Sequence, residues 1–348
     1  MRRYSGWAAT AVLLALLLIV PAWSQRYVLS LFTLAVITAL LAVSVNTLAG
    51  EAGLVSMGHA GISASAAYAV AWAVRDQHGL ATQLLLALLV TVAVSALYGI
   101  TAMRTSGLVF LMITLALGVM VYGIALKWSK VTGGQSGLIG IRRPESLLDP
   151  WAFYYFCLAI LAVTLVALWL FGRSPLGLSF RGIRDSESRM TSLGYATPAI
   201  KFAAMMLSGL VAGTAGVLAV WNSQFMSPSA AAFEVSAMAV IIIIIGGVGA
   251  PLGPIIGAGL VVGIEHWLSS YVERWPTLLG LLFIAVVILM PRGVAGVLWD
   301  RRDGPGSTLP ATALLRRSGG VRPTPKPPAD AVTPRDLTDV RGHHQKGS

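Results

Sequence analysis

The sequence predicts an all-α, polytopic integral membrane protein of about ten transmembrane helices, with one short amphipathic helix at its cytoplasmic face. Composition fixes the class first. Of 348 residues, 56% are hydrophobic and 11% charged, against roughly 25% charged in a soluble domain. Spacing agrees, because apolar runs close to the roughly 20 residues that cross a bilayer follow one another along the chain. Two interruptions set the organisation: the polar stretch from Arg173 to Lys201, and the loss of apolar character after Trp299.

In order, the expected spans are Trp7–Trp23, Val28–Ala49, Leu54–Val74, Ala81–Met103, Gly107–Leu126, Trp151–Phe171, Phe202–Trp221, Val235–Gly249, Gly253–Tyr271 and Thr277–Met290. The first also has the form of a signal peptide, since Arg2 and Arg3 precede its apolar core and Ala22-Trp23-Ser24 follows it. Its removal would change the parity of the rest. With it retained and the N-terminus cytoplasmic, Arg2, Arg3, Arg104, Arg173, Arg181, Arg184, Arg189, Lys201, Arg292, Arg301 and Arg302 fall inside. Arg26, Arg75, Lys127, Lys130, Arg142, Arg143 and Arg274 fall outside. The bias is modest, and it places both termini and the 173–201 loop in the cytoplasm.

Residues 1–299 thus form a transmembrane domain. Residues 300–348 read as a disordered cytoplasmic tail, because Pro, Gly and charge leave no apolar face to bury. Its Arg316, Arg317, Arg322 and Lys326 suit anionic lipid, although an extension without a role would look the same. The net charge of +11 sits mostly in loops and tail, which speaks for topology and lipid contact and against nucleic acid. The single cysteine, Cys157, lies in an apolar run and reads as a packing residue.

Within Arg173–Lys201, Arg181, Asp185 and Arg189 are spaced four apart, so the carboxylate can pair with a guanidinium on either side of it along one helical face. Ile183, Met190 and Leu193 fall on another face, an arrangement that suits docking on a partner. A solvated loop whose charges only fix topology is the plainer alternative.

Glycine marks the next feature. Gly50, Gly53, Gly58 and Gly61 punctuate NTLAGEAGLVSMGHAGISASAAY, with Glu51, Ser56 and His59 among them. Glycines weaken a helix, and freed backbone groups are tolerated at membrane depth only where protein or a water-filled cavity receives them. The break is therefore a candidate pathway site formed by Gly53, Ser56, Gly58 and His59, where half-helix ends can meet a carboxylate and a cation. Close helix approach through small residues is the alternative.

Two further glycine clusters lie in loops. Thr132–Ile141 falls in the longest external loop, and without a following Gly-Lys-Ser/Thr it is no phosphate loop, so ATP is not bound by that motif. Gly246–Pro254 reads as a tight cytoplasmic turn. Glu234 stands at the outer end of its span, and Glu265 and His266 within the next. No catalytic constellation, metal-ligand spacing or cofactor motif is present in the sequence.

The segments NTLAGEAGLVSMGHAG, TGGQSGLIGI, SPLGLSFRGIRDSESRMTSLGYATPAIKFAAMMLSGLVAGTAGVL, IIIIIGGVGAPLGPIIGAGL and ILMPRGVAG, in this order, resemble the permease subunits of branched-chain amino-acid ABC importers. The likeness runs from about Asn46 to Gly296 and is closest to the longer of that system's two related permeases. It implies a plasma-membrane importer subunit of bacteria that is not itself an enzyme. The expected partners are a second permease subunit, two cytoplasmic ATPase subunits and an extracytoplasmic substrate-binding protein, with a small-molecule cargo and membrane lipid around the spans. Arg181, Arg184, Asp185, Glu187, Leu193 and Gly194 match the loop whose short helix engages the ATPase.

The chain also departs from the family pattern. Arg189 and Met190 stand where an alanine pair is expected, and Met238 where a glutamate is common. Cargo is the open point, since urea and short amides are carried by similar permeases. An ion-coupled secondary transporter is the alternative of another class, and it would need a chain of ionisable groups near midplane beyond Glu51, His59 and Glu265.

Overall fold

The computed structural model describes residues 26–269 and the isolated positions 17, 18, 277 and 280. Apart from those positions, the expected spans Trp7–Trp23 and Thr277–Met290 lie outside the described residues, as does the tail. The other eight spans fall on helices. These are α1 (Arg26–Asn46), α2 (His59–Arg75), α3 (Leu80–Ala102), α4 (Gly107–Lys127), α5 (Pro150–Phe171), α7 (Thr197–Ser223), α8 (Phe233–Gly246) and α9 (Gly253–Ser269), while α6 (Pro175–Ser192) is the amphipathic helix. Among the described residues five helices are long and apolar enough to cross a membrane: α1 with the π-helical turn Thr47–Glu51 that extends it, α3, α4, α5 and α7.

The core is built on α1 and α7. Their apolar windows are 61% and 67% buried, against 28%, 22% and 33% for α3, α4 and α5, which therefore turn apolar faces outward. Close approach comes from small residues. A Cβ on Gly213 would overlap Thr91 of α3, and one on Gly216 would overlap the Ser63 carbonyl of α2. These contacts seat α7 against α2 and α3 along most of its length.

Two returns of the chain shape the interior. After α1 and its π turn the backbone leaves the helix over residues 52–58 before α2 begins. After α7 it runs through the two-residue strand β2 (Phe225–Met226) and the 3-10 turn Pro228–Ala231 before α8 begins. In α1 the chain runs toward the α6 end, and in α7 away from it.

At the end opposite α6 the glycine cluster 132–141 is an ordered structure rather than an open loop. Gly133 takes φ +76 after the one-turn helix Ser129–Thr132, and β1 (Leu138–Ile139) pairs antiparallel with β2, Leu138 opposite Met226 and Ile139 opposite Phe225. Arg143 donates from Nη2 to the Asn222 carbonyl at 3.0 Å and from Nε to that of Trp221, and it lies 4.1 Å over the Phe153 ring. It thereby caps the last turn of α7, where carbonyls lack helical partners. Replacing Arg143 with lysine removes the planar fork and is expected to cost about 1–2 kcal/mol, read as a lower melting temperature of the detergent-solubilised protein, while Arg142→Lys, on an exposed neighbour, leaves it unchanged.

Candidate functional site

The break between α1 and α2 closes on a buried polar knot. Ser56, His59, Ser208 and Ser236 are at most 3% exposed. Gly58 N–H donates to Ser56 Oγ at 3.2 Å, Ser56 Oγ lies 3.1 Å from His59 Nδ1, His59 Nε2 meets Ser208 Oγ, and Ser208 Oγ donates to the Ser44 carbonyl at 2.8 Å. The direction of each bond follows from its fixed ends. Ser208 spends its hydrogen on a carbonyl, so His59 must donate from Nε2, and Nδ1 then accepts from Ser56. This assigns the neutral Nε2–H tautomer from the network. The knot joins α1, α2 and α7 with no donor or acceptor of the imidazole left over.

Other elements cap the start of α2. Ala60 N–H donates to Ser236 Oγ of α8 at 3.1 Å, and Met57 N–H to Thr114 Oγ1 of α4 at 3.3 Å. The three helices carrying these partners also give a depth. At 1.5 Å per residue Thr114 stands about 10 Å from the start of α4, Ser208 about 16 Å from the start of α7 and Ser236 about 15 Å from the end of α8. All three ends lie on the α6 side, so the knot sits near the middle of a hydrocarbon layer about 30 Å thick.

On that same side α6 is tied to the π turn. Its start is set by Ser174, which accepts from Gly177 N–H, and by Pro175 in the first turn. Arg184 Nη1 donates to the Gly50 carbonyl, and Arg181 pairs with Glu51 at 3.8 Å while donating to the Gly172 carbonyl. Asn46 fastens the glycine-rich turn to the same place, accepting from Gly249 N–H at 2.8 Å and donating to the Ala250 carbonyl at 3.3 Å. Lys201, 2% exposed, pairs with Glu187 at 2.5 Å and donates to the Thr105 carbonyl at 2.9 Å. One polar cluster thus links α6, the π turn, the α3–α4 connection and the α8–α9 turn.

The expected ladder Arg181–Asp185–Arg189 is not what forms. Ser186 takes extended angles (φ −169, ψ 104) and splits α6 in two, its Oγ accepting from Arg189 N–H at 3.3 Å as an N-cap of the second part. Asp185 pairs instead with Arg184 at 3.7 Å. The expected apolar face divides as well, since Ile183 is buried and Met190 half-buried but Leu193 is 67% exposed. Gly194 ends the helix at φ +86, with Tyr195 N–H on the Met190 carbonyl and Gly194 N–H on that of Thr191, a glycine-dependent C-terminal motif. Asp185, Leu193, Gly194 and Tyr195 form the exposed side of the element.

The four expected pathway residues also separate. Ser56, Gly58 and His59 come together in the knot, whereas Gly53, exposed and at φ +72, packs under Arg184, whose Cγ would lie 2.7 Å from a Cβ there. Gly53 belongs with α6. Reading the sequence missed Asn46, Thr114, Lys201, Ser208 and Ser236. A polar residue in an apolar run was the available signal, but its partner lies up to 204 residues away.

Apolar helices broken at mid-depth, with a polar cluster tying the break to an amphipathic helix, define a multi-pass membrane permease. The chain belongs to the branched-chain amino acid transport system / permease component family, which matches residues 27–291. The high-affinity branched-chain amino acid transport system permease protein LivM of Salmonella typhimurium is 30% identical over 81% of this chain and 74% of its own length. LivM of Escherichia coli K12 is 29% identical over the same shares. The autoinducer 2 import system permease protein LsrC of Escherichia coli O9:H4 is 29% identical over 48% of this chain and 51% of its own length. No solved structure matches the chain.

Proposed function

We propose that this permease is the membrane-spanning subunit of an ATP-driven importer that carries branched-chain or similar amino acids inward. A second permease subunit stands beside it, two cytoplasmic ATPase subunits supply the work, and an extracytoplasmic binding protein delivers the cargo. The observation that carries this reading is the tie between α6 and the broken span. Arg184 holds the Gly50 carbonyl and Arg181 holds Glu51, and the same strand of chain reaches the Ser56–His59 knot a few residues later. An ATPase bound on Asp185, Leu193 and Gly194 would shift α6, and the π turn and the glycine turn would move with it. The ATPase, by favouring one arrangement over the other, biases states the permease already visits.

Cargo follows the relatives. LivM, named for branched-chain amino acids, matches over 81% of the chain, and LsrC over 48%, which supports an amino acid over other small polar cargo. The test is isolation of the chain from its native membrane with bound partners, combined with cysteine labelling from either side. An ATPase should copurify, Ser188→Cys and Ser318→Cys should react only from the cytoplasm, and Ser136→Cys only from outside. Reaction of Ser188→Cys from outside would remove α6 from any contact with an ATPase.

A further inference from the structure

We propose that Glu234 lines the translocation pathway and receives the α-ammonium group of the cargo, an assignment that rests on the importer reading above. From the sequence Glu234 belongs at the outer end of its span. The structure moves it inward. α8 has only 14 residues and ends at the Gly246–Gly247 turn on the α6 side, so Glu234 lies about 18 Å from that side, inside a layer about 30 Å thick. Two residues on, Ser236 caps the α2 backbone at Ala60, which fixes α8 at this depth.

At that depth the carboxylate is exposed on the surface of the subunit. Among the described residues no cation stands within ion-pairing distance of it. A charge held against lipid is costly, and intramembrane carboxylates face a polar cavity or a partner. Phe233, 46% exposed, stands beside Glu234. A carboxylate next to an exposed aromatic ring suits an ammonium carried on an apolar side chain. It does not suit a metal ion, since no group of three His, Cys, Asp or Glu side chains assembles among the described residues.

The test uses the full complex in proteoliposomes with its leucine-loaded binding protein, measuring labelled leucine uptake and the amount of assembled complex. Glu234→Gln keeps the shape and removes the charge. It should lower uptake about tenfold or more, the effect of losing one charge-assisted hydrogen bond, with the amount of assembled complex unchanged. Glu234→Asp should recover part of the loss, and Glu145→Gln, in the exposed turn before α5, should behave as the parent. Unchanged uptake in Glu234→Gln overturns the assignment alone. Loss of assembly in that variant overturns it in favour of an ion pair with a partner subunit. A parent complex that carries urea or a short amide and not leucine overturns the amino-acid reading and this assignment together.

Discussion

Replacing Gly58 with leucine is expected to abolish uptake by preventing assembly. A Cβ at Gly58 would already overlap Tyr98 Cε1 and the Thr114 carbonyl oxygen, before the rest of a leucine side chain is placed. Tyr98 is fully buried and has little room to retreat, and the carbonyl belongs to the α4 backbone. Overpacking costs about 1–3 kcal/mol where side chains can adjust, and here a backbone would have to move. A loss of about 3 kcal/mol, on the order of a hundredfold in the folded population, should appear as little recoverable complex. Gly123→Leu is the control, since nothing lies within 4 Å of its Cβ position. Complex recovered in full with uptake lost would instead mark Gly58 as a tight passage.

Glu187→Gln is expected to uncouple ATP hydrolysis from uptake and to destabilise the α6 side of the protein. Lys201 would remain buried with only the Thr105 carbonyl as a partner. Breaking a fully buried pair costs about 3–5 kcal/mol, but the Glu187 side chain is 37% exposed, which argues for about 2 kcal/mol. The double variant Glu187→Gln/Lys201→Met removes the stranded charge, so it should regain thermal stability while uptake per ATP stays low. Recovery of both together would mean that the pair serves stability alone. Gly194 acts on the same element by another route. Gly194→Asn tolerates the left-handed backbone and should couple nearly normally, whereas Gly194→Val should not.

Much of the fold was legible because hydropathy is a local property. Each apolar run from Ala81–Met103 to Phe202–Trp221 became a helix within a few residues of the expected bounds. The failures lie where polar groups act over distance. Leu54–Val74 was expected as one span, yet the helix starts at His59, because Ser56 and Ser236 hydroxyls replace helical partners for the backbone between. Val235–Gly249 looked like a full crossing and is a helix of 14 residues, about 21 Å long, that begins at depth. The charges of α6 were expected to pair along one face, but the N-cap at Ser186 breaks the period and sends Arg181 and Arg184 to the π turn.

By itself the sequence determined that this protein lives in a membrane, where most of its described apolar helices run, and that Arg173–Lys201 and Asn46–Gly61 depart from the apolar plan. Those conclusions need only the cost of placing charge and unpaired backbone in hydrocarbon, which each segment carries wherever it packs. Only the tertiary structure decided that Gly53 serves α6 while Ser56 and His59 form a buried knot, that Lys201 is locked to Glu187, and that Glu234 stands exposed within the bilayer. A polar side chain at membrane depth must find a partner, but which partner depends on helices brought together by small residues far apart in the chain. Hydrogen bonds that span 149 and 176 residues, from His59 to Ser208 and from Ala60 to Ser236, leave no local pattern to read.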